Sequence, residues 1–176
     1  MLSPRPRLAC LVRFVGPLAL LAGLLAFVGP LARAQAPAAR EPAVLELASY
    51  PRSTLQIAAA SGTHAFEVWL ADTPERQRQG LMYVRDLPAN QGMLFVNEAP
   101  RVSSFWMKNT YIPLDMLFID ARGRIVAIFA DTRPLSLDPV GPTQPVLAVL
   151  ELRGGESARR GIREGDRVKH AVFGAP

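Results

Sequence analysis

Short apolar segments separated by turn-forming residues set the strongest limit on how this chain can fold. Beyond residue 43 the apolar runs are of strand length, and Gly, Pro, Asp and Asn recur between them. Runs that alternate apolar and polar residues, or stay apolar over a few residues, are typical of β-strands. The pattern predicts seven or eight strands of modest length, the clearest over residues 54–60, 64–70, 93–96, 116–119, 124–130, 146–150 and 167–173.

Two segments carry the signals of short helices. Residues 71–80 begin with a capping Asp-Thr pair and Pro74 at the first helical position, and Gly80 can end the helix. Residues 154–161 form a second short capped segment that stops at glycine. Neither is long enough for the regular crossovers of a parallel sheet. We therefore expect an α+β, mainly β domain, built as a curled antiparallel sheet or partly closed barrel with two short helices.

The amino-terminal residues predict export. Arginines precede an uncharged, Leu- and Ala-rich run over residues 14–32, and a small-residue cleavage pattern ends at Ala34. We interpret residues 1–34 as a signal peptide that is cleaved after Ala34, with a retained membrane anchor as the alternative. The mature protein is then periplasmic or extracellular, with no stable membrane span after cleavage.

Removal of the signal peptide changes the composition of the chain. Four of the 20 Lys and Arg residues, none of the 15 acids and the single cysteine, Cys10, lie in residues 1–34. The remainder is nearly neutral, which gives no reason to expect nucleic acid as a partner, and without cysteine it can form no disulfide or thiolate site. Residues 35–42 are Ala- and Pro-rich and predict a disordered leader, and residues 43–176 have the usual size of one domain.

The mature sequence lacks the common signals of metal or cofactor chemistry. Its two histidines, His64 and His170, fall on separate predicted strands, with no carboxylate at ligand spacing beside either. No nucleophile elbow, Ser-x-x-Lys motif or phosphate-binding loop occurs. We therefore expect no metal, no cofactor, and a binding or accessory role rather than an enzyme.

The most unusual side chains surround a Phe-Trp-Met-Lys-Asn-Thr sequence. Bulky apolar residues run directly into polar ones, and after a proline-containing turn the chain enters an apolar strand past Asp115. One interpretation is structural: Lys108 and Asp115 form an ionic latch around a turn centred on Asn109. The other is a site for a small molecule or glycan, with Trp106 as a stacking platform. The side chains that orient the ligand would be Lys108, Asn109, Asp115 and Glu151.

A third interpretation of the same residues is catalytic. Asp115 and Glu151 could form the carboxylate pair of a cofactor-free hydrolase or lyase that acts on envelope glycans. Alternatively, Lys108 beside Asp115 could serve in proton transfer. The carboxylate pair requires side chains that face the same side of the sheet.

Several short motifs together resemble a known family. They are Glu75-Arg-Gln-Arg-Gln-Gly-Leu-Met82, Gly92-Met-Leu-Phe-Val96, Phe105-Trp-Met-Lys-Asn-Thr110, Ile112-Pro-Leu-Asp-Met-Leu-Phe-Ile-Asp120 and Val149-Leu-Glu-Leu152. From about His64 to Val172 the chain resembles the domain-of-unknown-function family numbered 192. The resemblance implies a compact β-rich domain, often secreted or membrane-tethered, with no established activity.

These observations together predict an exported cell-envelope domain that serves as a binding or accessory module. Its small polar cleft is expected near the Phe-Trp-Met-Lys-Asn-Thr bend. The envelope-glycan hydrolase or lyase is the alternative. A further alternative is a protein-interaction module that uses the proline-rich loop over residues 132–145.

Overall fold

The structure is a computed structural model that describes residues 44–174. The predicted signal peptide, its cleavage site and the leader lie outside the described residues. Within residues 44–174, no helix has the length and apolar character needed to cross a membrane.

Within the described residues, seven strands form a single curled sheet. In chain order they are β1 (Arg52–Ala59), β2 (Gly62–Ala71), β3 (Gln91–Arg101), β4 (Leu114–Ile119), β5 (Ile125–Thr132), β6 (Val146–Arg153) and β7 (Arg167–Lys169). Their order in the sheet is β5-β4-β6-β3-β2-β1-β7. An isolated bridge between Arg124 and Arg167 links the two edges. The expected mainly β, curled architecture is confirmed.

One pair of neighbouring strands is parallel, which the sequence pattern does not predict. β2 and β3 pair in parallel from Glu67 opposite Gln91 to Ala71 opposite Phe95, so a crossover must connect them. This crossover contains α1 (Pro74–Gln79), a helix of only 6 residues. The irregular residues that follow it supply the rest of the required length.

Both predicted short helices are present. α1 begins after Thr73, whose hydroxyl accepts a hydrogen bond from a first-turn amide at 3.3 Å, and it ends at Gly80 with φ of 53°. A Cβ at Gly80 would lie 2.9 Å from the Phe95 ring, so available space and backbone conformation both require glycine. α2 (Glu156–Arg160) ends at Gly161, which is also left-handed.

Three strand ends differ from those predicted. β3 continues through residues 97–101, where its register with β6 shifts. β6 extends beyond Glu151, which therefore lies within a strand and not after one. β7 is short, and His170 caps the 3₁₀ turn Ala171–Phe173 instead of continuing the strand. Strand ends depend on the partner strands, which local hydrophobic patterns do not reveal.

Apolar side chains pack on both faces of the sheet. The curl encloses an inner core, whose buried members include Ile57, Leu94, Leu117, Ile125, Leu150 and Val168. The opposite face of the central strands carries an outer core, covered by the segments that connect the strands. Its buried members include Leu81, Met93, Phe95, Met107, Met116 and Phe118. Because β4, β6 and the first half of β3 are buried on both faces, their sequences are nearly continuous apolar runs.

Candidate functional site

A cleft opens in the outer layer of the molecule, between the central strands and the segments that cover them. Its volume is about 410 Å³, which is within the range of small-molecule sites. α1, the segment after β3 and the proline-rich loop form its walls. Its lining side chains include Arg78, Asn97, Arg101, Trp106, Leu137 and Glu151.

Glu151 provides a buried carboxyl on the floor of this cleft. On β6 it pairs with Met93 of β3 and Met116 of β4, so its side chain shares their face of the sheet. The residue is 4% exposed, and among residues 44–174 no group donates a hydrogen bond to its carboxyl. Burial raises the pKa of this carboxyl to about 8, because removal from water disfavours the charged form. At neutral pH Glu151 is thus a neutral acid that can donate one hydrogen bond.

Trp106 stands at the rim of the cleft and is 52% exposed. The Lys108 Nζ atom lies 5.5 Å from the centroid of its ring, within cation–π range. The preceding Phe105 packs edge-on against Phe95 and Phe118, with ring centroids 5.0 Å and 5.9 Å away. This anchored ring fixes the backbone that presents the exposed indole.

A guanidinium held by one hydrogen bond also lines the cleft. Arg101 pairs with Val146, five residues before Glu151 on β6. Its Nε donates to Asn97 Oδ1 at 2.8 Å. Asn97 Nδ2 in turn donates to the Val146 carbonyl and to Ser103 Oγ, at 3.1 Å each. Among the ion pairs of residues 44–174 none involves Arg101, so its terminal nitrogens are available to a ligand.

Asp115 is also buried, but on the other face of the sheet. On β4 it pairs with Leu152, whose side chain belongs to the inner core. Its Oδ1 accepts hydrogen bonds from the amides of Asp131 and Gly155, at 2.8 Å and 2.9 Å. Its Oδ2 accepts from the amide of Ser157 at 2.8 Å and from the hydroxyl of the same residue. The carboxylate therefore ties the start of α2 to the β4–β5 pair, which is a structural role.

The carboxylate pair of a glycan hydrolase is not formed. Asp115 and Glu151 occupy consecutive rungs of the β4–β6 ladder, and consecutive positions on strands point to opposite faces. A substrate in the cleft could meet only Glu151. Within the part of the chain that the structure describes, no three His, Cys, Asp or Glu side chains are grouped to ligate a metal.

The ionic latch is also absent, although its turn is present. No ion pair joins Lys108 to Asp115 or to another acid of residues 44–174. Asn109 has φ of 56° in a turn closed by a backbone hydrogen bond of 3.0 Å. Its carbonyl accepts from the Tyr83 amide at 2.8 Å, and its Nδ2 donates to the Tyr83 hydroxyl at 3.0 Å. The polar groups of Asn109 thus hold two loops together outside the cleft.

Comparison with models of protein families places this chain in one known family. The family model DUF192, described as "Uncharacterized ACR", matches residues 56–170. The chain belongs to the DUF192 family. The matched range contains every residue that lines the cleft. No curated protein matches the chain.

Two crystal structures share the fold of this DUF192 domain. A Sinorhizobium meliloti protein described as a candidate transcription regulator is 42% identical, with a TM-score of 0.69 over 70% of this chain and 97% of its own. A Novosphingobium aromaticivorans protein of unknown function is 38% identical, with a TM-score of 0.69 over 75% of this chain and 94% of its own. Both support the β-rich fold, and the second carries no assigned function.

Two of the five side chains proposed as ligand-binding line the cleft of this DUF192 domain. These are Trp106 at the rim and Glu151 on the floor. Lys108 lies beside the rim through its contact with the indole. Asn109 and Asp115 are engaged by the protein itself and do not line the cleft.

Two parts of the cleft lie outside the ligand-binding residues that the sequence predicts. The pattern predicts an ordinary loop for residues 97–101, whereas Asn97 and Arg101 form the polar end of the cleft. The proline-rich loop contributes Leu137, which is 66% exposed. In the same loop, Leu135 has φ of 63°, a conformation that non-glycine residues adopt rarely and often near functional sites. The length of this loop was the sequence signal that could have indicated its role in the cleft, because long loops in compact domains are often functional.

Proposed function

We propose that this domain is exported to the cell envelope and binds a small polar molecule or glycan in the cleft, as a binding or accessory module. The observation that supports binding most is Glu151, a buried carboxyl without a partner among the described groups, on the floor of an open cavity. Among the described residues no fully buried side-chain nitrogen or oxygen lacks a hydrogen-bond partner, so atoms of this carboxyl remain accessible from the cavity. A ligand in the cleft can therefore supply the hydrogen bond that the protein does not.

The exposed face of Trp106 also supports a binding role. A flat ring, or the apolar face of a sugar, can stack on an indole while its polar groups reach the carboxyl and amide groups of the cleft. A binding role requires only side chains that line the cleft, such as Trp106 and Glu151, and these lie on one side of the sheet. A two-carboxylate hydrolase is not proposed, because Asp115 and Glu151 face opposite sides.

The two tryptophans of the chain allow a direct test of binding. Trp69→Phe leaves Trp106 at the rim as the only indole, and Trp106→Phe leaves Trp69, which stacks with Arg52 away from the cleft. We expect small polar molecules and oligosaccharides that bind to change the fluorescence of the first variant and not of the second. Equal changes in both variants, or no ligand from a broad screen, would contradict the proposed cleft function.

Export is proposed from residues 1–34. The test expresses the full chain with a carboxy-terminal tag, separates the cell fractions and measures the mass of the product. We expect a periplasmic or secreted protein that begins at Gln35, and retention in the cytoplasm when aspartates interrupt the apolar run. A full-length product in the membrane fraction would support the anchor, and an intact cytoplasmic product would contradict export.

A further inference from the structure

We propose that the ligand of the cleft is a small organic acid, with its carboxylate held by Arg101 and an oxygen at its other end accepting a hydrogen bond from Glu151. The inference rests on the proposed binding function and narrows it to one class of ligand. Two independent features support it: the charge of the lining and the separation of its polar ends.

The charged side chains that line the cleft are basic, apart from Glu151 itself. α1 contributes Arg78, which pairs at 3.4 Å with an exposed acid of the same helix, and β3 contributes Arg101. Beside Glu151 on the neighbouring strands lie Met93 and Met116, and the other lining segments contribute no titratable side chain. Burial raises the pKa of Glu151 to about 8, so near neutral pH the lining carries net positive charge. Such a cleft favours an anion over a cation.

Arg101 is prepared to receive a carboxylate. Its Nε donates a hydrogen bond of 2.8 Å to Asn97 Oδ1, and this bond fixes the orientation of the guanidinium plane. The two terminal nitrogens can then donate to the two oxygens of one carboxylate, the geometry in which arginine binds such groups most strongly. Asn97 is itself held by the Val146 carbonyl, so the arrangement exists before a ligand arrives.

The polar ends of the cleft are far apart, which limits the shape of the ligand. Arg101 is opposite Val146, which lies five positions before Glu151 on β6, a distance of roughly 17 Å along a strand. Because both residues line one cleft, their side chains extend into this gap and shorten it. The same lining contains Trp106 and Leu137. The ligand is therefore an elongated acid with an apolar body and a carbonyl or hydroxyl oxygen at the far end.

Four matched probes test this ligand class by calorimetry and by the fluorescence of Trp69→Phe. Benzoylbutyrate has a carboxylate and a ketone at opposite ends of its chain. Its amide removes the charge and phenylvalerate removes the ketone. Phenylpentylamine, which also lacks the ketone, replaces the acid of phenylvalerate by a cation. We expect benzoylbutyrate to bind at least about tenfold more tightly than the amide and the amine, and several-fold more tightly than phenylvalerate.

Variants assign these preferences to individual side chains. Arg101→Gln should abolish the preference for acid over amide, whereas Arg122→Gln, an exposed change in the β4–β5 turn, should retain it. Wild-type affinity for benzoylbutyrate should fall several-fold as the pH rises through about 8, because ionised Glu151 can no longer donate its proton. Glu151→Gln, which keeps a donor without ionising, should bind with no such dependence.

Three results would overturn the inference. The first is an amide or amine that binds as tightly as the acid, and the second is an unchanged acid preference in Arg101→Gln. The third is that none of the four probes binds while the broad screen finds a cleft ligand without an acidic group. In that case the proposed binding function stands, and the proposed ligand class is wrong. If the screen finds no cleft ligand either, both proposals fall.

Discussion

Two acids on neighbouring strands of one sheet, Asp115 and Glu151, are both almost completely buried yet have opposite surroundings. Asp115 receives four hydrogen bonds from the protein. Glu151 receives none from the described residues, and its pKa is raised to about 8. The register separates them, since Asp115 pairs with Leu152 in the inner core, whereas Glu151 pairs with Met116 in the outer core. Burial of an acid therefore does not reveal its role; its hydrogen-bond partners do.

The largest expected effect is that of Asp115→Ala on stability. The change leaves three amides and one hydroxyl without their acceptor, at about 1–3 kcal/mol each. We expect the free energy of unfolding to fall by about 4 kcal/mol or more, measured by chemical denaturation. If the variant does not fold, Asp115→Asn, which keeps one acceptor oxygen, should show an intermediate loss.

Asp120→Ala provides the matched control for this change. The partly exposed Asp120 carboxylate accepts hydrogen bonds from two turn amides, at 2.8 Å and 2.9 Å. Because water can replace it, its loss should cost only about 1 kcal/mol. Equal losses for the two variants would remove the contrast between a structural acid and an exposed one.

The second effect is the dependence of stability on pH that Glu151 causes. The pKa of this group is raised in the folded protein from 4.5 to about 8, so between these values the folded state binds more protons than the unfolded state. Stability is therefore highest below pH 4.5 and is lost as the pH rises towards 8. This group should lower the free energy of unfolding by about 3 kcal/mol between about pH 5 and about pH 8.

Glu151→Gln isolates this contribution, because glutamine is nearly isosteric and does not ionise. The difference in stability between the variant and the wild type, measured by denaturation at several pH values, should grow in favour of the variant as the pH rises. Parallel pH profiles would show that Glu151 has a partner in solution. Glu151 would then have hydrogen-bond partners as Asp115 does, and the main support for ligand binding in the cleft would be lost.

A smaller effect is expected for Ser157→Ala. This change removes one of the four donors to Asp115 and leaves the amide of the same residue in place. We expect a loss of about 1 kcal/mol in the free energy of unfolding. The loss should vanish in the Asp115→Ala background, since the two residues act through one hydrogen bond. Additive losses in the double variant would contradict this. Ser136→Ala, whose exposed hydroxyl bonds to Asp138, is the control.

The smallest effect is expected for Lys108→Ala, which should change the free energy of unfolding by no more than about 0.5 kcal/mol. Lys108 is exposed and contacts the exposed ring of Trp106 without an acidic partner among the described residues. The measurement is thermal denaturation of Lys108→Ala and Asp115→Ala under the same conditions, so that the two losses of stability can be compared directly. A loss as large as that of Asp115→Ala would restore the ionic latch that the structure lacks.

Much of the fold could be predicted from local sequence signals. The end of α1 at Gly80, with φ of 53°, and the cap at Thr73 are where the residue types indicate them. These features depend on a few neighbouring residues, which the sequence shows directly. The parallel pairing of β2 with β3 and the extension of β3 through residues 97–101 depend on distant strands, so local patterns do not reveal them.

The candidate site was predictable only in part. An exposed Trp106 next to polar residues and a carboxylate at Glu151 are visible in the sequence, and both line the cleft. The sequence places Asp115 beside them because Met116 and its neighbours give the same apolar signal on both faces of a fully buried strand. Arg101 could not be predicted as a site residue, because its position depends on the register shift between β3 and β6.

The sequence by itself determined the β-rich class, the two short helices and the DUF192 family, because residue periodicity, capping residues and local motifs carry that information. Only the tertiary structure decided which of two buried acids faces a cleft. In a strand, a shift of one position moves a side chain to the opposite face, and the pairing of β4 with β6 sets that position for Asp115 and Glu151. One acid thereby became part of the framework, and the other became the polar floor of the candidate site.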